Sequence, residues 1–414
     1  MAAPRPGVTG ADASRPLRSP SFRWYFAGRS ISLAGSAMSP VALAFGVLAL
    51  TGSAYWVAAV TGTAMVATVA TMLVGGGIAD RYRRSTVLWL TSLGAGLTQA
   101  GVAVLLITHQ HPVLLLPFAA GNGVLQGLTT PVLRGILSNL ASGRGLQRAS
   151  SLLASAGNLA RIAGPAGAGL LTASVGGGWA IAADSASFLL AAACFARIAL
   201  PGPAERDGGR SMLGDLREGW AYFASHPWFW SVTLAFAVFN ATNRGVWAVL
   251  GPVIAFHTIG AAGWGLVLSA QGVGALLASV VLVKVPLLRR PMPLALAAMA
   301  LAAVPLILLG AGAGLVWLAA ATFLGGVAVE LFTVTWETVN LTHIPERLLS
   351  RVGAHDEFWS FVSFPLGQTA APVLAAVIGT ALVALTGGTV AALMMLLVAL
   401  LPMFRRIELH HVDR

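Results

Sequence analysis

The sequence predicts an all-α membrane protein with twelve transmembrane helices in two pseudo-symmetric six-helix bundles. Composition is the first reason: 57% of the 414 residues are hydrophobic and 9% are charged, whereas a soluble domain has about 25% charged residues. The second reason is that the apolar runs reach the roughly 20 residues that a helix needs to cross a bilayer. The third is the presence of 48 glycines, which permit close helix packing within lipid.

Hydrophobic runs form two groups of six, separated by a polar segment. The predicted spans are 22–50, 55–79, 85–107, 113–140, 151–173, 179–200, 228–255, 265–283, 293–310, 315–341, 355–385 and 389–404. The corresponding domains are a tail at 1–21, a bundle at 22–200, a linker at 201–227, a second bundle at 228–404 and a tail at 405–414.

The linker contains SMLGDLREGWAYFASHP, which places apolar side chains at helical spacing. These side chains are Leu213, Leu216, Trp220 and Phe223, and Ser211 precedes them at the position of a helix cap. The pattern predicts a short helix on the membrane surface. A disordered linker is the alternative.

Basic residues are confined to alternate loops. Lys and Arg precede span 1, follow spans 2, 4, 8, 10 and 12, and occur in the linker. The loops at 51–54, 108–112, 174–178, 256–264, 311–314 and 386–388 contain neither. Because basic loops stay in the cytoplasm, we expect both tails and the linker to be cytoplasmic, in a multi-pass protein of the cell membrane. The net charge of +11 then belongs to one membrane face and does not indicate nucleic-acid binding.

Signatures of enzymes are absent from the sequence. It contains no GxxxxGK[ST], HExxH or GxSxG pattern, and its eight histidines are scattered. We therefore expect no catalytic activity, cofactor or metal.

Two further features concern processing of the chain. Cys194 is the single cysteine, so no intrachain disulfide is expected. The first 20 residues lack the apolar core of a signal peptide, so we do not expect them to be a cleaved signal.

The segment after span 2 reads GGIADRYRR and follows a G-x-x-x-D-R-x-G-R pattern. Gly76, Asp80, Arg81 and Arg84 match the pattern, and Arg83 replaces its last glycine. Together with the six-plus-six layout, this segment resembles the major facilitator superfamily.

Further stretches resemble particular members of that superfamily. NLARIAGPAGAGLL is similar to the helix 5 motif of its antiporters, through Arg161, Gly164, Pro165 and Gly169. Four others resemble the drug:proton antiporter branch of macrolide-efflux and enterobactin-exporter-like proteins. They are FRWYFAGRSISLAG, AIAADSASFLLAA, LREGWAYFASHPWFW and FPLGQTAAP.

The resemblance implies a conformational latch formed by Gly76, Asp80, Arg81 and Arg84. In the superfamily the loop aspartate reaches the N-terminus of helix 11, whose dipole favours an anion. The arginines bind carboxylates and helix ends, which closes the cytoplasmic side while the cavity faces outward. The alternative is that the arginines only set the topology, although Asp80 is not needed for that.

The resemblance also implies that helices 1, 4, 7 and 10 line the substrate cavity. Polar side chains recur on one face of three of these spans. They are Asn122, Gln126, Thr129 and Thr130 in span 4, Asn240, Asn243 and Trp247 in span 7, and Glu330, Thr333, Glu337 and Asn340 in span 10. Hydrogen bonding between helices is the alternative role for any single Asn or Thr.

Carboxylates inside a membrane are costly and mark functional sites. Glu330 is the first candidate for proton coupling, because burial favours the neutral carboxyl group and opening to water allows it to ionise. Glu337 and Asp356 are the next candidates. Asp184, toward the outer end of span 6, is expected to have a structural partner. Many relatives carry an acid in helix 1, but SLAGSAMSP has none, so uncoupled or differently coupled transport stays open.

These features predict a monomeric, proton-coupled exporter of small organic molecules such as drugs, siderophores or metabolites, working by alternating access. The expected partners are the substrate, protons and membrane lipid. An importer or lipid flippase on the same fold is one alternative. A transport-inactive membrane sensor is another, although a sensor has no need of buried carboxylates.

Asp80→Asn tests the latch. The substitution removes the anion that the helix dipole would bind and keeps the side-chain size, so transport should fall while the amount of folded protein stays near wild type. Efflux measured at matched expression gives the answer. Wild-type efflux by the variant would contradict the latch.

The predicted topology is tested by single cysteines at Ser14 and Ser211 in a Cys194→Ser background. Because both positions are expected in the cytoplasm, neither cysteine should react with impermeant thiol reagents on intact cells, and both should react after permeabilisation. Labelling of either cysteine on intact cells would show that its segment is outside the cell and would contradict the predicted topology.

Overall fold

A computed structural model describes residues 16–81, 83–140, 143–198, 212–285 and 288–408. These residues form helices joined by short turns, and none of them is in a β-strand. The chain divides into two compact units, Met1–Glu205 and Arg206–Arg414. The boundary between the units falls within the segment predicted as a linker.

The first unit contains six long helices, consistent with its six predicted apolar runs. They are α1 (Pro20–Thr51), α2 (Ala54–Arg81), α3 (Arg84–Ile107), α4 (Leu115–Leu140), α5 (Gly143–Val175) and α6 (Gly177–Phe195). Helix α1 packs against α5 and α6, α2 packs against α4, and α3 packs against α4 and α6. Residues that lack a side chain permit these contacts: a methyl group at Gly123 of α4 would overlap the Ala64 carbonyl of α2.

The second unit has more and shorter helices. They are α7 (Met212–Ser225), α8 (Pro227–Phe239), α9 (Val246–His257), α10 (Gly260–Lys284), α11 (Met292–Met299), α12 (Val304–Gly310), α13 (Leu315–His343), α14 (Glu346–Phe361), α15 (Ser363–Ile378) and α16 (Thr380–Ala399). A π-helical turn, Asn240–Gly245, joins α8 to α9, and a 3₁₀ turn, Ala300–Ala303, joins α11 to α12. A last 3₁₀ turn, Pro402–Arg406, follows α16.

Ten helical stretches among the described residues are long and apolar enough to cross a membrane. The sequence predicts twelve, and the two that differ have identifiable causes. Helix α5 is long enough, but Asn158, Arg161 and many small residues make it less apolar. In the predicted span 228–255, the π turn Asn240–Gly245 interrupts the α-helical hydrogen bonding, so neither flanking α-helix reaches the required length alone, although the helical path from Pro227 to His257 is continuous.

The predicted boundary between the last two spans, at 386–388, is wrong. Helix α15 ends at Ile378, and the next residue, Gly379, has a φ of +87° that is strained for residues with a side chain. Helix α16 starts immediately after it. Gly387 and Gly388 lie inside α16 and allow close packing instead of a turn. A methyl group at Gly388 would lie 2.6 Å from Cγ1 of Ile307.

Helix α7, in the segment predicted as a linker, packs within the second unit. Phe223 is buried with Phe229, Ile344, Leu348 and Val352. The Tyr222 hydroxyl donates a hydrogen bond to the His343 carbonyl at 3.0 Å, and partial burial raises the pKa of that hydroxyl. Ser211, the predicted cap of this helix, lies outside the described residues.

Polar contacts between α7 and α14 also fix α7. Glu218 forms a salt bridge with Arg351, and a methyl group at Gly219 would lie 2.9 Å from the Arg351 carbonyl oxygen. The ring of Trp220 lies 5.6 Å from that of His355 and 6.1 Å from that of Trp359. Helix α7 is therefore a packed element of the second unit.

Glu408, at the end of the described chain, forms ion pairs with two arginines. Glu408 accepts a 2.8 Å hydrogen bond from Nε of Arg290 and lies 2.9 Å from NH2 of Arg289. The hydrogen bond from Arg290 and the charges of both arginines lower the pKa of Glu408. Both arginine side chains are largely exposed, so we expect these ion pairs to stabilise the fold only slightly.

Candidate functional site

The π turn at Asn240–Gly245 lies where three helical segments of the second unit approach closely. A methyl group at Gly245 would lie 2.8 Å from Cα of Gly367 in α15, and one at Gly367 would overlap the Ala241 carbonyl. A methyl group at Gly387 of α16 would overlap the Thr242 carbonyl. π turns of this kind occur frequently at functional sites, and this one contains two of the predicted cavity residues.

The amide side chains at this crossing are buried and only partly satisfied. Nδ2 of Asn240 donates to the Ser360 carbonyl at 2.7 Å. Among the described residues, Oδ1 of Asn240, Nδ2 of Asn243 and Oε1 of Gln368 have no hydrogen-bond partner. An unpaired buried polar atom costs about 1–3 kcal/mol, so these atoms are suited to binding water or a polar ligand.

Trp247, the third residue predicted for the cavity on this span, follows the π turn in α9. Its ring lies 4.6 Å from that of Trp264 in α10. The side chain is half-buried. Trp247 therefore combines a structural contact between α9 and α10 with a partly open surface.

The polar residues of helix α13 differ in exposure. Glu330 is half-buried, and Thr333 and Glu337 are exposed, so these three residues of the predicted stripe are at least partly open. Asn340, the fourth, is half-buried, and its Oδ1, like Oγ1 of Thr335, is buried and, within the described part of the chain, unpaired. Thr335 was not predicted, because a threonine between apolar residues gives no distinctive sequence signal.

The carboxylates predicted for proton coupling have different surroundings. For Glu330, the described residues provide no hydrogen bond or ion pair to the carboxylate. Glu337 is exposed to solvent or lipid. Asp356 accepts hydrogen bonds from Oγ1 of Thr233 at 2.7 Å and from Nε1 of Trp336 at 3.0 Å. The structure thus places Asp356 in a network and leaves Glu330 outside one.

The Asp356 network joins three helices of the second unit. Thr233 belongs to α8, Trp336 to α13, and Asp356 itself to α14, where Oγ of Ser360 adds a weak bond at 3.4 Å. The Trp336 ring lies 5.1 Å from that of Phe229, so the carboxylate adjoins an aromatic cluster. Asp356 is best described as a junction between helices.

In the first unit, the two predicted cavity residues of α4 differ in exposure. Asn122 is half-buried, and its Nδ2 donates to Oγ1 of Thr98 in α3 at 3.3 Å. Gln126, one turn later, is exposed. Asn122 therefore forms a contact between two helices, which was the alternative role, whereas Gln126 lies on the surface of the first unit.

The helix 5 motif supplies close packing against α1. A methyl group at Gly164 would lie 2.5 Å from Cβ of Ala37, and Pro165 and Gly169 are buried beside it. Arg161 of the same motif is exposed. The exposed Arg161 thus lies one turn before the close contact between Gly164 and α1.

Residues predicted for the latch lie around the junction of α2 and α3. Gly76, Asp80 and Arg81 belong to the last two turns of α2, but their side chains lie outside the described part of the structure. Arg83 has extended backbone, with φ −60° and ψ 122°, before α3 begins at Arg84. Asp80 and Arg81 are therefore helical, although the sequence predicts a loop there.

A second buried carboxyl group lies in the first unit. Asp184 of α6 is completely buried, and Nε2 of Gln99 in α3 donates to its Oδ2 at 2.8 Å. The same Nε2 lies 3.1 Å from Oγ of Ser39 in α1, and Oγ of Ser187 donates to the Asp184 carbonyl at 2.7 Å. The expected structural partner of Asp184 is thus a polar network.

The fold is similar to that of several solved membrane transporters. A mutant of the nucleoside transporter NupG has a TM-score of 0.76 at 11% identity, over 92% of this chain and 99% of that one. A bacterial homologue of the iron transporter ferroportin in an inward-facing state has a TM-score of 0.67 at 15% identity, over 93% and 99%. A bacterial homologue of the human lysosomal transporter Spinster has a TM-score of 0.66 at 14% identity, over 96% and 100%.

Sequence comparison identifies the family. The profile of the Major Facilitator Superfamily matches residues 25–355, so the chain belongs to that superfamily, as its motifs predict. Its members are multi-pass membrane transporters of small molecules and ions. No curated protein matches the sequence significantly.

Asp356→Ala tests the junction in the second unit. The substitution removes the carboxylate that accepts from the Trp336 indole N–H and the Thr233 hydroxyl, so the indole N–H loses its acceptor. We expect the free energy of unfolding to fall by about 1–3 kcal/mol, measured by denaturation of the purified protein. Glu337→Ala, at an exposed carboxylate of α13, is the matched control and should have little effect. Equal stability of the two variants would contradict the junction.

Proposed function

We propose that the protein exports small organic molecules by proton-coupled alternating access. One observation carries the proposal: polar atoms without partners are concentrated, among the described residues, on α13, α15 and the π turn between α8 and α9. In a membrane such groups are costly and are retained where they serve a substrate or ion. A permanently closed bundle would gain stability by replacing them with apolar side chains.

The unpaired atoms favour a substrate with both donors and acceptors of hydrogen bonds. Asn243 offers an amide N–H, whereas Asn240 and Gln368 offer carbonyl oxygens. Trp247 adds an aromatic surface. Drugs, siderophores and metabolites combine polar and apolar parts in this way, and a simple hydrocarbon does not.

Glu330 is the proposed site of proton coupling. It is half-buried on α13, and within the described part of the chain no donor or cation compensates its charge. Asp356, in contrast, has hydrogen-bond donors in its network, and Glu337 is exposed. Alternate opening to water would let Glu330 bind and release a proton.

The remaining elements of the proposal come from the sequence. Two bundles, each formed by six predicted spans, would rock about the substrate, with Asp80, Arg81 and Arg84 closing the cytoplasmic side. Both tails would be cytoplasmic, in accordance with the basic loops. The stretches similar to drug:proton antiporters support export and not uptake.

Glu330→Gln tests proton coupling. The amide keeps the shape of the side chain but cannot release a proton, so substrate binding and downhill exchange should persist while uphill transport driven by a pH gradient is lost. A thermal-shift screen would identify the substrate, and its accumulation would be measured in proteoliposomes with an imposed gradient.

Glu337→Gln, on the same face of α13, is the matched control and should retain uphill transport. If proteoliposomes with Glu330→Gln accumulated substrate to the wild-type level, Glu330 would not be the coupling residue, and Glu337 or Asp356 would be the next candidate. If a pH gradient did not drive substrate accumulation by the wild type, transport would not be coupled to protons.

A further inference from the structure

Asp184 belongs to the first unit and has no part in the proposed function. It is the eighth residue of α6, about 11 Å along the helix axis from the first. Its side chain is completely buried. Helices α1, α3 and α5 pack against α6, and the carboxyl group contacts side chains of α1 and α3.

The Asp184 carboxyl group has neutral partners. Gln99 donates to Oδ2 at 2.8 Å, Oγ of Ser187 lies 3.5 Å from Oδ1, and the Ser39 hydroxyl, which lies 3.1 Å from the same Gln99 nitrogen, is a neighbour of the carboxyl group. No cation among the described residues forms a salt bridge with it. The described titratable or charged side chains of α6 and the helices packed against it are Arg23, Tyr25, Arg29, Arg84, Arg148, Arg161 and Cys194.

Position excludes two arginines of the packed helices as partners. Gly28 contacts Phe195, which places Arg29 beside the end of α6, about 16 Å from the level of Asp184 at 1.5 Å per residue. Arg161 is exposed on α5. A fully buried carboxylate without a paired cation is disfavoured relative to the neutral acid.

The partners can satisfy both protonation states. The Ser39 hydroxyl can donate to a carboxylate or, after rotating, accept from a carboxylic acid. The Ser187 hydroxyl donates to the Asp184 main-chain carbonyl, so its oxygen can accept from the acid, and the Gln99 N–H donates to a carboxyl oxygen in either state. A proton can therefore be added or removed while the same uncharged side chains stay in contact with the carboxyl group. A salt-bridged aspartate lacks this property.

Access to Asp184 depends on α1. Gly35 of α1 lies directly over the carboxyl group, since a methyl group there would lie 2.6 Å from Oδ1 of Asp184 and overlap the Ser187 hydroxyl. The backbone of α1 thus excludes water from the acid. A proton can exchange with water only when α1 moves away from α3 and α6.

We propose that the carboxyl group of Asp184 is a second proton-binding site, enclosed by α1, α3 and α6. A proton from water binds one carboxylate oxygen to give the neutral acid, and the acid returns it to water when α1 opens. No other bond is made or broken. The role of this proton in transport rests on the proposed function, whereas the site itself does not.

Infrared difference spectroscopy of the purified, substrate-free protein tests the site. We expect the wild type to show a carboxylic acid C=O stretch that shifts in heavy water and is lost in Asp184→Asn. Glu330→Gln, which removes a different carboxyl group, should retain that band. An Asp184→Asn spectrum identical to that of the wild type across the stable pH range would overturn the proposal.

Ser39→Ala keeps the carboxyl group and provides a second test if Asp184→Asn does not fold. Removal of one hydrogen bond should move the C=O stretch to higher frequency and leave its intensity unchanged. An unshifted band would overturn the proposal. Neither measurement uses a substrate, so a failure of proton-driven transport in the wild type would refute the proposed function and leave this site standing.

Discussion

A bilayer offers no water to buried polar groups, and this constraint determines where polar side chains occur in the protein. Backbone groups are satisfied within helices, and small residues such as Gly123 and Gly367 bring helices into contact. The few remaining polar side chains are concentrated at helix junctions. Each junction then either stabilises the bundle or provides a site for a ligand.

The two junction carboxyl groups are built in the same way. Asp184 joins α1, α3 and α6, and Asp356 joins α8, α13 and α14, each through uncharged donors. Hydrogen bonds to uncharged donors hold helices together without requiring a permanent charge in the membrane. The two carboxyl groups differ in their exposure to solvent. The backbone of α1 at Gly35 covers Asp184, whereas Asp356 lies beside an aromatic cluster and is partly exposed.

Apolar runs made the all-helical membrane fold predictable, because their lengths match the thickness of a bilayer. The sequence could not distinguish the turn at Gly379 from the packing pair Gly387–Gly388, since both are glycines in an apolar context. Helical spacing on the spans that the family resemblance assigns to the cavity led to the prediction of Asn240, Asn243 and Glu330 as site residues. No sequence signal indicated Thr335 or the partner Gln99, because those roles depend on contacts between residues far apart in the sequence.

The π turn at Asn240–Gly245 also has a geometric consequence. A π turn accommodates one residue more than an α-helical turn, and each α-helical residue advances the helix by about 100°. Returning these residues to α-helical hydrogen bonding would rotate α9 relative to α8 by roughly that angle and turn Trp247 away from Trp264. The π turn thus contains one extra residue. A small change in backbone hydrogen bonding there would change the rotation of α9 relative to α8.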